Sequence, residues 1–216
     1  MKVSIRWVLI LGSLAMIWVT QVITISTSYV SSQRVLLTHA QDIMRNIADL
    51  AMAQAESHLI HAESAANLTK RLLTSNVVGR AQDRMTELER YFQDQLAVYP
   101  HFAGIYLGEP SGDFFDVRRD ETRGQGGTRT KISLHANGQK ETRLLWRDDT
   151  QQIVERQVVH DDVYDPRKRP WYIKAMQEKR IVWTDPYIFF TSHKPGITIA
   201  GPTYTDDGRL KGIVGV

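Results

Sequence analysis

Three regimes of hydrophobic patterning succeed one another along the chain. Between Arg6 and Arg34 no residue carries a charge. The run Trp7 to Val30 is mostly apolar, and about 20 such residues suffice for a helix to cross a bilayer. From Ser32 to Ser75 there is neither proline nor glycine, and Leu36, Ile43, Ile47 and Leu50 recur at helical spacing. A small-residue stripe of Ala55, Leu59, Ala62, Ala66 and Leu72 comes next. The spacing predicts one long helix carrying on from the first run, with a break at Gly79. A second amphipathic helix shows Met85, Leu88, Tyr91, Phe92 and Leu96 on one face and stops at Pro100.

Beyond Pro100 the period shortens to that of strands. Phe102 to Leu107 and Phe114 to Arg118, joined by a turn at Pro110 to Asp113, predict a hairpin. Lys131 to His135 and Thr142 to Arg147 predict another around Asn137-Gly138, a pair suited to the positive φ of such turns. Gly124, Gly126 and Gly127 lie between charged residues, without the strand, Lys-Ser/Thr and helix of a phosphate loop, and predict a flexible connection. Pro170 suits the first turn of a helix, so Trp171 to Glu178 is expected to be short and helical.

Charge and composition narrow the function. Lys2 and Arg6 precede the apolar run, and a cleaved signal peptide shares that basic start. Its apolar region is typically about 7–15 residues, however, and this one is longer. A retained anchor at 7–30 is expected, with residues 1–6 cytoplasmic and the chain beyond the anchor outside. The chain is 24% charged and 42% hydrophobic, as folded proteins are, with a net charge of +3 and scattered basic residues. No basic stripe with interleaved aromatics argues for nucleic acid. The absence of cysteine removes thiol catalysis, disulfides and cysteine-based zinc. His58 and His61 sit three apart on the long helix without further spaced ligands, so no metal and no cofactor is expected. Ser192, His193 and Asp185 are hydrolase residue types, but adjacent Ser and His side chains rarely converge as a triad. Neither G-x-S-x-G nor H-E-x-x-H occurs, and no enzymatic activity is expected in this chain.

The chemistry concentrates between Tyr164 and Phe190. Arg169 offers a planar fork that matches a carboxylate, at the mouth of the short helix, where free N–H groups favour an anion. Trp171, Tyr172, Trp183 and Tyr187 supply aromatic walls with polar handles. The same residues also suit a plain aromatic core with a structural arginine. A core could be filled by apolar side chains, whereas a buried guanidinium without ligand or partner is costly.

Tyr164, Arg169, the pair Trp171-Tyr172 and Tyr187 after W-x-x-P-Y, around D-P-R-x-R-P-W-Y, resemble the signature of the Cache sensor family, specifically its amino-acid-binding double-Cache domains. The resemblance implies an α+β, PAS-like antiparallel sheet with helices on one face. Gly196 to Tyr204 and Arg209 to Val216 resemble its last two strands, joined through Asp206-Asp207-Gly208. It implies that Arg169 and Trp171 grip a carboxylate, that Tyr164 and Tyr172 line and orient the ligand, and that Tyr187 faces the amino group. The acid that meets the ammonium in the family falls one position after Val216. Asp185 is a secondary carboxylate expected to shape the turn, and Trp183 a secondary wall. The organisation implied is an anchor at 7–30, a stalk helix at 31–76 and a membrane-distal Cache module at 80–216, C-terminally incomplete. A second membrane span and a cytoplasmic output domain are expected to come after it. Such sensors sit in the bacterial plasma membrane with the module outside, joined to chemoreceptor, kinase, cyclase or cyclic-di-GMP domains. The run F-F-T-S-x-x-P-G-I-T, Phe189 to Thr198, is most similar to sensors associated with nucleotide cyclases. The long helix suits either a homodimeric stalk or packing along its own domain. The alternative function is a dimerisation module with no ligand.

Overall fold

The computed structural model describes residues 5–75, 84–120, 122, 126–136 and 139–216. The expected break at Gly79, Gly124 and the Asn137-Gly138 turn lie outside them. Helix α1 runs unbroken over Ile5–Thr74. The chain divides into two compact units, Met1–Glu56 and Ser57–Val216.

In the first unit α1 exposes its apolar side chains, among them Trp18 at 71% and Ile25 at 64%. An 18-residue window of it reaches a mean hydropathy of 2.2, so by length and composition α1 can cross a membrane. Its threonine hydroxyls are satisfied internally: Thr24 Oγ1 donates to the Thr20 carbonyl at 2.8 Å and Thr27 Oγ1 to that of Ile23 at 2.9 Å. Apolar surroundings demand such back-bonding, because an unpaired hydroxyl there is expensive.

The second unit is an antiparallel sheet between helices. Its strands are β1 (Gly104–Gly108), β2 (Phe114–Arg119), β3 (Thr128–Ala136), β4 (Gln139–Arg147), β5 (Ile153–Val159), β6 (Val182–Trp183), β7 (Tyr187–Ile188), β8 (Pro195–Gly196), β9 (Ile199–Tyr204) and β10 (Leu210–Gly215). Eight of them pair in the order β5-β4-β3-β2-β1-β10-β9-β6, and β7 pairs separately with β8. Helix α2 spans Arg84–Val98 and α3 Pro170–Glu178.

Alternation along β1 and β2 sorts the core into two layers. Ile105, Leu107, Phe115 and Val117 face the end of α1 and α2, whose Ala62, Ala66, Leu73, Leu88 and Phe92 close one cluster. Tyr106 and Phe114 point the other way, to Trp171, Tyr172 and Ala175 of α3, Val182 and Ile213. Helices therefore cover both faces of the sheet, not one as expected. The alternation of large apolar residues on both faces of β1 and β2 requires it. The stripe on α1 also turns by one position: Leu73 is 1% exposed and takes the place expected for Leu72, with Ala65 and Thr69 beside it.

Two polar clamps hold α2 to the sheet. Glu89 accepts from Arg147 Nε and Nη2, each at 3.1 Å, and from Thr130 Oγ1 at 2.6 Å. Arg119 donates to the carbonyls of Leu96, Tyr99 and Phe102, serving the orphan acceptors at the helix C-terminus. The edge strand β5 has no counterpart among the expected elements, since Glu155, Arg156 and Gln157 interrupt its apolar pattern.

Candidate functional site

The site is built where the chain enters α3. Asp165 Oδ1 accepts from the Arg167 N–H at 3.0 Å and caps a single 3-10 turn, Pro166–Lys168. Arg169 then adopts φ −97°, ψ 146°, the extended conformation that a following proline favours. Pro170 occupies the first helical position. Arg169 does not cap the helix with its side chain. Instead Nε donates to the Asp165 carbonyl at 3.2 Å, and the guanidinium lies 4.9 Å from the Tyr164 ring centre and 4.1 Å from that of Phe190. Close approach of β1 depends on Gly108, where an added Cβ would meet Pro166 Cβ at 2.8 Å and Trp171 Cη2 at 3.0 Å.

These residues line a partly open cavity of about 30 Å³, room for two or three waters at about 10–15 Å³ each. Tyr164, Arg169, Trp171 and Tyr187 line it, with Tyr106, Arg118 and the hairpin tip at 189–191. Trp171 is 2% exposed and meets Tyr106 edge-on at 4.8 Å. Thr198 Oγ1 bonds both the Tyr106 hydroxyl, at 2.6 Å, and that of Tyr187, at 2.8 Å. Burial pushes the phenols of Tyr106, Tyr164 and Tyr187 up, so at neutral pH they enter the site as hydroxyls. A larger hollow, about 660 Å³, lies along Ser26 to His39 of α1, but a single exposed helix supplies all of it and encloses nothing.

Not every expected residue reaches the cavity. Tyr172 is 5% exposed and packs edge-on against Trp171 at 5.6 Å, outside the lining. Trp183 packs against the core on the opposite side of the sheet. Asp185 points to solvent, 3.4 Å from Lys174 Nζ. Arg167 is exposed and paired with Asp165 at 3.0 Å. His58 and His61 are joined by His101, whose ring lies 4.3 and 5.8 Å from theirs. Among the described residues no group of three such side chains could hold a metal.

Sequence reasoning missed Tyr106, Phe189, Phe190 and Thr191 as lining residues, and with them the charged Arg118. Its Nε and Nη2 hold the fully buried Asp116 at 2.8 and 3.1 Å, while Arg129 Nη2 stands 3.7 Å from the same carboxylate. The signal was present: Phe114, Asp116 and Arg118 alternate onto one face of a strand, and an acid and a base among aromatics on an inward face mark a buried pair. On the outer side of Tyr164, Lys131 Nζ sits 4.7 Å from the ring centre and 2.8 Å from Asp162.

The architecture is an α+β, PAS-like sheet with an aromatic, arginine-bearing cavity under α3. Residues 118–216 match the family described as methyl-accepting chemotaxis protein-like, first PDC sensor domain. That stretch, a little under half of the chain, is similar to PDC, or Cache, sensor domains. Adenylate cyclase 1 of Rhizobium meliloti (strain 1021) is 31% identical over 129 residues, covering 55% of this chain and 19% of that protein. The ligand-binding domain of the Campylobacter jejuni chemoreceptor Tlp3, solved with L-valine, shares the fold at 13% identity and a TM-score of 0.50, over 76% of this chain and 53% of that one. The ligand-binding domain of Mlp24, solved with asparagine, is 20% identical at a TM-score of 0.49, over 81% of this chain and 55% of that one. The chain thus spans about half of those domains and about a fifth of the cyclase.

Proposed function

We infer that this chain is the ligand-sensing part of a membrane-bound signal transducer, and that its cavity takes a small carboxylate, in the first instance an amino acid. The observation that carries the reading is Arg169. Its Nε makes a single bond, to a backbone carbonyl, and its guanidinium is framed by aromatic rings at the cavity. A guanidinium in such a place is poised to accept a carboxylate in two parallel bonds. Trp171 grips beside it, and Tyr164 and Tyr187 orient the ligand. The L-valine of the Tlp3 structure agrees with this chemistry.

The apolar part of α1 anchors the chain with the sensor outside the cytoplasm. The stalk pairs with a second copy through Leu36, Ile43, Ile47 and Leu50, all more than half exposed. Binding is passed along α1 to a cytoplasmic output domain, and the cyclase relative favours a nucleotide cyclase in that role. A thermal-shift screen of the full chain in detergent against amino acids, amines and organic acids tests the ligand. A binder at 100 times its dissociation constant adds about 2.7 kcal/mol of stability. A flat response across the carboxylates, with the protein folded, refutes the reading.

A further inference from the structure

The cavity contains two guanidiniums, not one, and no carboxylate among its lining residues. Arg118 reaches it from β2, on the strand next to β1, whereas Arg169 reaches it from the start of α3. Arg118 spends Nε and Nη2 on Asp116, in the two-bond geometry of a strong charge-assisted pair. Its third nitrogen, Nη1, makes no hydrogen bond among the described residues, and it is not among the buried polar atoms that lack a partner. Nη1 therefore keeps some exposure, on a side chain that lines the cavity. Asp116 itself cannot turn to a ligand: it is fully buried, both oxygens are engaged by Arg118, and Arg129 presses on it from the other side. Arg129 is drawn in turn to Asp120 as well as to Asp116.

A buried ion pair contributes little net stability compared with apolar residues of the same volume. The neighbouring inward positions on β1 and β2, Tyr106 and Phe114, are aromatic, so packing alone did not require a charge at Arg118. Asp116 does for Arg118 what an orienting partner does in any built site. It fixes the plane of the guanidinium and leaves one edge free.

We propose that Arg118 is the specificity-determining residue of this site, and that the preferred ligand is a small dicarboxylate of the acidic amino acid type. One carboxylate meets Arg169 and Trp171, and the second meets Arg118. The proposal rests on the carboxylate reading given above and adds the second anionic end. The remaining lining residues suit it: Tyr106 and Tyr187, whose hydroxyls both bond Thr198 Oγ1, can donate or accept as the ligand requires.

Titration calorimetry on the full chain in detergent, with L-aspartate, L-glutamate, succinate, L-valine and butyrate, tests it. The diacids are expected to bind at least about tenfold more tightly than the monoacids, because a site built to pair a charged group discriminates strongly against ligands that lack it. In Arg118→Gln that ratio collapses toward one, and Arg118→Lys, which keeps a cation beside Asp116, restores part of it. Circular dichroism checks that each variant is folded. Should Arg118→Gln unfold, the wild-type ratio and the lysine variant still decide. Equal binding of L-valine and L-aspartate to the wild type overturns the dicarboxylate assignment alone and leaves the carboxylate reading standing. Binding of none of the five overturns both.

Discussion

Arg169 owes its position to its neighbours in sequence. Pro170 forces it into an extended backbone and Pro166 starts the preceding turn, so the side chain leaves the helix mouth toward Tyr164 and Phe190. Because its value to a ligand lies in a planar double bond, Arg169→Ala and Arg169→Lys are both expected to weaken carboxylate binding. An ammonium cannot reproduce the fork. Loss of one partner from a desolvated charge pair costs about 2–5 kcal/mol, at least tenfold in affinity by calorimetry. Arg167, exposed and engaged with Asp165, is the control, and its alanine variant is expected to bind nearly as wild type. Normal binding by folded Arg169→Ala would remove the arginine from the site.

At the scale of elements, the hairpin of β7 and β8 supplies one wall of the cavity. Its tip carries Phe189 and Phe190, and Phe190 covers the face of Arg169 in a cavity too small for any amino acid. If the cavity takes an amino acid as proposed, the tip has to swing aside to admit it. Phe190→Ala is expected to speed association several-fold in stopped-flow measurements, with the buried Trp171 as fluorescent reporter; an unchanged rate places the entry path elsewhere. Helix α2 contributes in a different way, through stability. Phe92 is fully buried and lies 5.6 Å from Phe115 across the helix–sheet interface. Phe92→Ala is expected to cost about 3–5 kcal/mol in urea unfolding of the domain, and a loss below about 1 kcal/mol would mean that this layer collapses around the gap.

For the whole molecule, acid sensitivity arises from the network behind the site. Burial alone would raise the pKa of Asp162, but hydrogen bonds and charge from Lys131, with Lys140 and Thr142, outweigh it and hold the carboxylate below its ordinary value. A folded-state pKa below the unfolded one, ~3.9, contributes stability that is fully present above that value and lost as pH falls through the folded one. Unfolding midpoints in urea are thus expected to drop below about pH 4, and Asp162→Asn to flatten that decline. An equally steep decline in the variant would assign it to other carboxylates. Membrane attachment is tested by fractionation with N-terminal sequencing. Residues 7–30 are expected to remain on a membrane-bound product, whereas a soluble chain starting near Ser31 would make them a signal peptide.

Local physics reached far into this protein from the sequence alone. The uncharged run, the proline-free helix, the two hairpins and the Pro-bracketed turn before α3 depend on neighbours within a few residues, so their periods and breaks are written in order along the chain. The same locality made Arg169, Trp171 and Tyr164 legible, since a short stretch carries all three. Which aromatics face the cavity was decided only by packing: Trp171 lines it while Tyr172 next to it turns away into the core, and Trp183 ends on the far side of the sheet. Arg118 lies 51 positions before Arg169 in the sequence, and only the pairing of β2 with β1 beneath α3 brings both guanidiniums to one cavity. Helix placement on both faces has the same origin, because strand alternation states that two faces are apolar but not which helix will cover each. Tertiary structure settles that by closing both layers at once.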